Sequence, residues 1–141
     1  MSLIDQILTA AASSRASDIH ISSAGQAMMR VRGRLVPVSG DIFSADAVWR
    51  MAEEMMNEEQ LETLRGVGEC DFAYEIEGIS RYRVNIYMTM GAPAIALRAI
   101  PTDIPPLTAL SIPQTVVDLY QKKHGLIPVS YTHLTLPTNR E

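Results

Sequence analysis

Apolar residues recur at helical spacing in two early stretches of this chain. Behind a potential cap at Ser2, the first apolar stripe consists of Leu3, Ile4, Ile7, Leu8, Ala11 and Ala12. Behind Ser44, the second stripe consists of Val48, Met51, Ala52 and Met55. It continues through Leu61 and Leu64, and we expect it to end at Gly66, because glycine is a common helix terminus. Two helical regions are therefore predicted before residue 70.

Strict alternation of apolar and polar residues predicts short strands between these helices. In DIHISS, Ile19 and Ile21 face one way, whereas Asp18 and His20 face the other. The stretch AMMRVRGRLVPV has apolar segments on both sides of a glycine, which is typical of a hairpin. Pro37 places the second strand of that hairpin at a sheet edge or at the strand's own end.

Three further strands are predicted between residues 69 and 101. ECDFAYEIEG and SRYRVNIYM both alternate, and PAIALRAIP is more apolar. Short connections through Gly78 and Gly91 imply an antiparallel meander with one solvated face. Together with the helices, these strands indicate an α+β fold, in which an antiparallel sheet is flanked by helices.

The pattern changes after Ile100. The proline-rich stretch at 101–112 is predicted to be a linker, because proline interrupts regular structure. A last helix is expected to start near Ser111 and to end at the cations and glycine of 122–125. Its predicted inward-facing residues are Ile112, Val116, Val117 and Tyr120.

Composition narrows the class of protein. The chain has 141 residues, 47% of them hydrophobic, and a net charge of -4, which argues against a general nucleic-acid surface. Its single cysteine, Cys70, excludes an intrachain disulfide. The N-terminal sequence lacks the features of a signal peptide, so a cytosolic protein is the simplest interpretation.

An arginine-rich strand face is the main candidate for chemistry. If Met90 and Gly91 form the turn of the last hairpin, Ile86 pairs with Ile95, Val84 with Leu97, and Arg83 with Arg98. The polar face of that hairpin then carries Arg81, Arg83, Asn85 and Arg98. Directly opposed like charges are unfavourable, so acidic partners or an external anion are needed. On the residues alone, we favour ion pairs with Glu69, Asp71, Glu75 and Glu77 over an anion site.

Other candidates have plainer interpretations. His20 beside Asp18 is read as a structural hydrogen-bonded histidine rather than half of a catalytic pair. Arg30, Arg32 and Arg34 are read as a solvated hairpin tip rather than a second anion patch. Core packing is expected for Met51, Met55, Met56 and Cys70. No metal-ligand spacing and no Gly-Lys-Ser or Gly-Lys-Thr phosphate loop occurs in the sequence.

Four segments together resemble one protein family. They are ASDIHIS, MMRVRGRLVPV, GECDFAYEIEGISRYRVNIY, and ALRAIP followed by prolines. In order and spacing, they are similar to the amino-terminal domain of type II/IV secretion ATPases, in particular the retraction ATPases of type IV pili, over about Leu3 to Val129. The chain departs from the family at Arg32, where relatives often have an acidic residue before the glycine.

The resemblance implies a domain organisation. It assigns a PAS-like domain to 1–100, a proline-rich linker to 101–112, and the helix and first strand of a truncated RecA-like ATPase domain to 113–129. The family forms homohexameric motors for twitching motility, which bind ATP and Mg. The implied partners are the RecA-like domain, neighbouring subunits and the pilus inner-membrane machinery, without nucleic acid. The implied location is the cytoplasm, at the inner face of the cell membrane.

The resemblance also assigns a role to the arginine face. In this family, strand arginines of the amino-terminal domain reach nucleotide bound on the RecA-like domain. By position, Arg81, Arg83 and Arg98 are the implied phosphate-sensing residues in the intact motor. For these three, the resemblance shifts the preferred interpretation from internal ion pairs to an anion site.

The last twelve residues are expected to be foreign to this family. After GLIPV, where the family has its Walker A loop, the chain continues as SYTHLTLPTNRE. That string resembles the conceptual translation of a sequencing adapter, so 130–141 are expected to be a non-native tail, with a natural divergent tail as the alternative. The chain itself is then expected to have no catalytic residue, metal or cofactor and to be inactive as an ATPase.

Two alternative functions stay open. A pilus assembly or type II secretion ATPase belongs to the same superfamily, but usually has extra domains before this region, whereas here the first helix starts almost at Met1. A stand-alone, non-catalytic PAS-like binding module would need no second domain.

Overall fold

Residues 1–101 and 105–128 are described by the computed structural model of this protein, and the two ranges belong to two separate units. Several predicted segments lie outside the described residues: the tail at 130–141, the last residue of the strand predicted up to 129, and 102–104 of the predicted linker. No helix within the described residues is long and apolar enough to cross a lipid bilayer.

The first unit is one antiparallel sheet with three helices. Its six strands are β1 Asp18–Ile21, β2 Gly25–Val31, β3 Arg34–Phe43, β4 Glu69–Ile76, β5 Ser80–Thr89 and β6 Ala92–Ile100. Its helices are α1 Leu3–Ser13, α2 Ala45–Met55 and α3 Glu58–Val67. The strand order β3-β2-β1-β6-β5-β4 joins two meanders through the pairing of β1 with β6. The predicted α+β class is confirmed, and Pro37 lies in an edge strand, as expected.

Side-chain caps define where the helices begin. Ser2 and Asp5 form a capping box at the start of α1, and Asn57 and Gln60 form another at the start of α3. The second box separates α3 from α2, which the sequence pattern had joined. The predicted stop at Gly66 is wrong: α3 continues to Val67 and ends at a left-handed Gly68 with φ 92°.

Two tight hairpins have the same kind of two-residue turn. Arg32 and Gly33 connect β2 to β3, and Met90 and Gly91 connect β5 to β6. All four residues have positive φ, which suits two-residue turns because their twist matches that of the strands. The predicted turn at Met90 and Gly91 is confirmed, and with it the register of the arginine hairpin.

The core lies between the three helices and one face of the sheet. Its fully buried side chains include Ile4, Leu8, Ile19, Ile21, Val48, Met51, Leu64, Val84, Ile86, Ile95 and Leu97. Tyr82 is also fully buried, and its hydroxyl donates to the backbone oxygen of Leu8 at 3.2 Å, which satisfies its polar atom. Burial of Met51, Met55, Met56 and Cys70 confirms the expected packing role.

The second unit contains a short 3-10 helix, Leu107–Leu110, and a six-residue helix α4, Gln114–Leu119. Helix α4 begins after Pro113 rather than near Ser111 and ends before the predicted cations. Residues 125–128 form no strand. Ile112, Val116 and Tyr120, which we expected to face inward, are exposed.

Candidate anion-binding site

The sheet face opposite the core carries the candidate site. Alternation places Ile19 and Leu97 in the core and turns their neighbours Asp18 and Arg98 to the other face. The same alternation exposes Arg83 in β5 beside the buried Val84. Within residues 1–101, the buried helix residues all pack with the core side of the sheet. The polar face of this unit is therefore built from strand side chains alone.

Strand register aligns four charged residues in one row across the sheet. Arg83 lies directly opposite Arg98, as predicted, and Arg98 lies directly opposite Asp18. On its other side, Asp18 lies opposite Arg30. The row thus reads Arg30, Asp18, Arg98, Arg83 along β2, β1, β6 and β5. At one end of this row, Arg98 in β6 and Arg83 in β5 are direct neighbours, with no acidic residue between them.

Asp18 neutralises part of this positive charge. Arg98 Nε donates a hydrogen bond to Asp18 Oδ1 at 3.0 Å, and Arg30 Nε lies 3.6 Å from Asp18 Oδ2. The Ser17 hydroxyl donates to Asp18 Oδ2 at 2.8 Å. This hydrogen bond lowers the pKa of Asp18; burial acts in the opposite direction, and Arg98 and Arg30 lower it further. Asp18 is therefore a carboxylate at neutral pH.

Arg83 has a weaker acidic partner. Its Nε lies 3.7 Å from Asp71 Oδ1, and the two side chains are 72% and 55% exposed. An ion pair that is this exposed contributes about 0–1 kcal/mol to stability. Asp71 was one of the predicted partners, whereas Glu69, Glu75 and Glu77 form no ion pair with these arginines within residues 1–101.

The arginine pair borders a shallow depression of about 310 Å³. Its polar lining consists of Asp18, His20, Asp71, Arg83, Asn85 and Arg98. Arg98 is 76% exposed and contacts the chain through Nε, and neither Arg83 nor Arg98 donates an Nη hydrogen bond within the described residues of this unit. The Nη groups are thus free to donate to an external acceptor. Guanidinium groups suit phosphate and carboxylate because they present parallel donors.

The local charge favours an anion. Arg30, Arg83 and Arg98 outnumber Asp18 and Asp71 by one positive charge, although the whole chain carries -4. Directly opposed Arg83 and Arg98 repel each other, and an anion placed between their Nη groups would remove that repulsion. Among the described residues, no cluster of histidine, cysteine or acidic side chains could hold a metal ion.

Arg81 is separated from the pair. It lies on the same face of β5, but opposite Ile100 and Glu75, and it does not line the depression. Two residues along a strand correspond to roughly 6.6 Å, so Arg81 is one row away from Arg83. Of the three predicted phosphate-sensing residues, the fold brings two together.

The other candidates are also resolved by the fold. His20 is exposed at the depression, and no hydrogen bond to its ring is found within residues 1–101, so the structural hydrogen-bonded interpretation is wrong. Of the three hairpin arginines, Arg30 forms an ion pair with Asp18, whereas Arg32 and Arg34 are exposed, as a solvated hairpin tip requires. Burial raises the pKa of the Cys70 thiol, with a further contribution from Asp71, as expected for a packed side chain.

The sequence and the fold of this chain were compared with those of known proteins. No protein-family model matches the chain. The type IV pilus ATPase PilU of Pseudomonas aeruginosa is 32% identical over 111 residues, which are 79% of this chain and 29% of PilU. The crystal structure of the pilus retraction motor PilT with bound ADP matches with a TM-score of 0.74 and 27% identity, covering 86% of this chain and 36% of PilT. The ATPase DotB of Legionella pneumophila matches with a TM-score of 0.63 and 28% identity, covering 82% of this chain and 33% of DotB.

The chain is therefore related, over most of its length, to the amino-terminal region of the type II/IV secretion ATPases. Within that class, its relatives include the ATPases of type IV pili, PilU and PilT. The chain spans between 28% and 38% of the length of the curated relatives that it matches.

Proposed function

We propose that this chain is the amino-terminal region of a hexameric pilus retraction ATPase, and that its arginine pair senses nucleotide phosphate in the intact motor. In this proposal, Arg83 and Arg98 contact phosphate oxygens of ATP, whereas Arg81 contributes to contacts between domains or subunits. The motor works in the cytoplasm at the inner face of the cell membrane. The observation that carries the proposal is the opposed, exposed pair Arg83 and Arg98, with Nη donors that the chain leaves free.

The position of the pair on a sheet supports this role. Residues directly opposite each other in antiparallel strands have Cα atoms about 4.5–5.5 Å apart, and the ladder keeps that separation fixed. Two arginine side chains whose Cα atoms have this separation can both reach one phosphate group. Contact with the charge of a phosphate, which changes on hydrolysis, gives the sheet a way to respond to the state of the nucleotide.

ATP and Mg are proposed to be held by a different domain. The described residues provide no metal-binding cluster, and the sequence has no Gly-Lys-Ser or Gly-Lys-Thr phosphate loop. The relatives are about three times as long as the matched region, which leaves room for a RecA-like domain. Arginines in this chain would then supply charge to phosphates that a neighbouring domain or subunit binds.

Substitution of the pair tests the proposal. In the complete motor, we expect Arg83→Ala and Arg98→Ala each to lower kcat/KM for ATP by about tenfold or more, because a charge-assisted hydrogen bond to phosphate contributes about 1.5–3 kcal/mol. Arg81→Ala should have a smaller effect. ATP turnover in steady state is the measurement, with urea unfolding to confirm that each variant stays folded.

Arg34→Ala is the matched control, because it removes the same charge from the exposed β2–β3 hairpin, away from the depression. Turnover in Arg34→Ala should equal that of the wild type. Wild-type turnover in both Arg83→Ala and Arg98→Ala would refute phosphate sensing by this pair. A gene that contains no Walker A motif downstream of codon 129 would instead favour a non-catalytic binding module.

A further inference from the structure

We propose that Asp18 is the positioning residue of the anion site: anchored by a hydrogen bond from Ser17 and attracted by the charge of Arg30, it orients the guanidinium group of Arg98 toward the ligand. This inference rests on the proposed function and assigns a role within the same site. It also divides the three arginines of the row into one structural residue, Arg30, and two ligand-binding residues, Arg98 and Arg83.

The two arginines that flank Asp18 are not equivalent. Arg30 Nη1 donates to the backbone oxygen of Gly33 at 3.1 Å, so its guanidinium group is fixed to the β2–β3 turn, and its Nε forms a longer ion pair of 3.6 Å with Asp18. Arg98 has no such second anchor within residues 1–101, and it is twice as exposed as Arg30, at 76% against 37%. Asp18 thus accepts the Ser17 hydroxyl and faces the charge of Arg30 through Oδ2, and it accepts the Nε–H of Arg98 through Oδ1.

Contact through Nε determines what the rest of Arg98 can do. A guanidinium group is planar, so a hydrogen bond from Nε–H to Asp18 Oδ1 at 3.0 Å restricts the orientation of the whole plane, while no hydrogen bond from an Nη group of Arg98 is found within residues 1–101. Asp18 is well suited to this task because its side chain is only 16% exposed and also accepts the Ser17 hydroxyl. A donor that is oriented before binding loses less entropy when the ligand arrives.

Asp71 provides an internal comparison. It is also a carboxylate on the polar face beside an arginine of the pair, but it lies 3.7 Å from Arg83 and is 55% exposed. That distance is too long for a hydrogen bond. Arg83 is therefore free to adjust to the ligand, whereas Arg98 is held in advance.

Charge and positioning predict opposite effects when Asp18 is removed. Loss of a negative charge about 7 Å from a bound anion should strengthen binding by roughly threefold for each charge on the ligand, from Coulomb's law in water. Loss of a positioning contact should weaken binding instead. Asp18→Ala and Asp71→Ala remove the same charge from the same face, so their comparison separates the two effects.

The test uses the 141-residue chain, with inorganic pyrophosphate as the probe. Arginine Nε–H signals are followed by heteronuclear NMR, first without ligand and then during a pyrophosphate titration. In the free chain, we expect Arg98 Nε–H to exchange with water about threefold to tenfold faster in Asp18→Ala than in the wild type, because its acceptor is lost. In Asp71→Ala, the exchange rate of Arg98 Nε–H should be unchanged.

Pyrophosphate should bind Asp18→Ala at least threefold more weakly than the wild type, and Asp71→Ala equally or more tightly.

Each outcome decides one claim. Unchanged Arg98 Nε–H exchange in Asp18→Ala, or pyrophosphate binding that tightens equally in both variants, would overturn the positioning role. A wild-type chain whose arginine signals do not respond to pyrophosphate would contradict the anion site, while the Nε–H exchange still decides whether Asp18 orients Arg98. Asp18→Asn serves as a second variant if Asp18→Ala does not fold, and it should show smaller changes in the same directions.

Discussion

Tyr74 connects the far edge of the sheet to the first helix. Its hydroxyl donates to Asp5 Oδ1 at 2.9 Å, and Asp5 also belongs to the capping box of α1. Burial, followed by the hydrogen bond and charge of Asp5 and the charge of Glu54, raises the pKa of Tyr74 to about 12. The Tyr74 side chain therefore joins β4 to the start of α1, and this contact contributes to the raised pKa of its hydroxyl group.

This raised pKa predicts a loss of stability at alkaline pH. An unfolded tyrosine ionises near pH 10, whereas folded Tyr74 keeps its proton up to about pH 12. The unfolded state therefore loses the proton first, and the stabilisation present below pH 10 falls as pH rises to 12. We expect the free energy of unfolding of Tyr74→Phe, measured with urea, to fall less steeply over this range than that of the wild type.

Tyr87→Phe is the control, because Tyr87 is exposed on the neighbouring strand. It should follow the wild-type profile. Identical profiles for Tyr74→Phe and the wild type would contradict the raised pKa of Tyr74.

Individual site residues were predictable only where their contacts are local in sequence. Arg83 and Arg98 were placed opposite each other because a two-residue turn fixes the register between β5 and β6. The pairing of Asp18 with Arg98 joins residues 80 positions apart, and no local pattern specifies that β1 lies beside β6. The alternation placed Asp18 on the polar face, but its partners required the fold.

At the scale of elements, the end of α3 shows how two nearby glycines differ. Gly66 lies inside the helix and is exposed, with no atom near the position of an added Cβ. Gly68 follows the helix with φ 92°, and its N–H donates to the oxygen of Leu64. The sequence pattern indicated that a glycine ends the helix, but it did not identify Gly68, because the residue type alone does not reveal φ.

Alanine at these two positions should have opposite effects. Gly66→Ala is expected to stabilise the protein by about 0.5–1 kcal/mol, because alanine favours the helix interior. Gly68→Ala is expected to destabilise it by about 1–2 kcal/mol, because a Cβ is unfavourable in the left-handed region. Thermal and urea unfolding of both variants measure the difference, and equal effects would contradict the assigned end of α3.

Elements defined by local chemistry were largely predictable. The helix caps at Ser2 and Ser44, the two hairpin turns and the alternating strands all follow from neighbouring residues. The separation of α2 from α3 was missed because apolar spacing continues across Met56 and Asn57, and the cap at Asn57 is a weaker signal than that spacing.

At the scale of the whole molecule, one face of the sheet builds the core and the other presents charge. The order of the strands brings Asp18 and Arg30 from the first meander beside Arg98 and Arg83 from the second. The proposed anion site thus depends on the joining of the two meanders, and in the proposed motor the nucleotide is bound by another domain. In that motor, we expect the nucleotide phosphates to contact Arg83 and Arg98 and not Arg81.

The most direct test is the distance between this pair and a bound nucleotide. In a crystal structure of the complete motor with a non-hydrolysable ATP analogue, we expect an Nη atom of Arg83 or Arg98 about 2.7–2.9 Å from a phosphate oxygen in at least one subunit. Arg98 should keep its Nε contact with Asp18. Phosphates that contact neither Arg83 nor Arg98 in any subunit, in a motor that hydrolyses ATP, would contradict phosphate sensing by this pair.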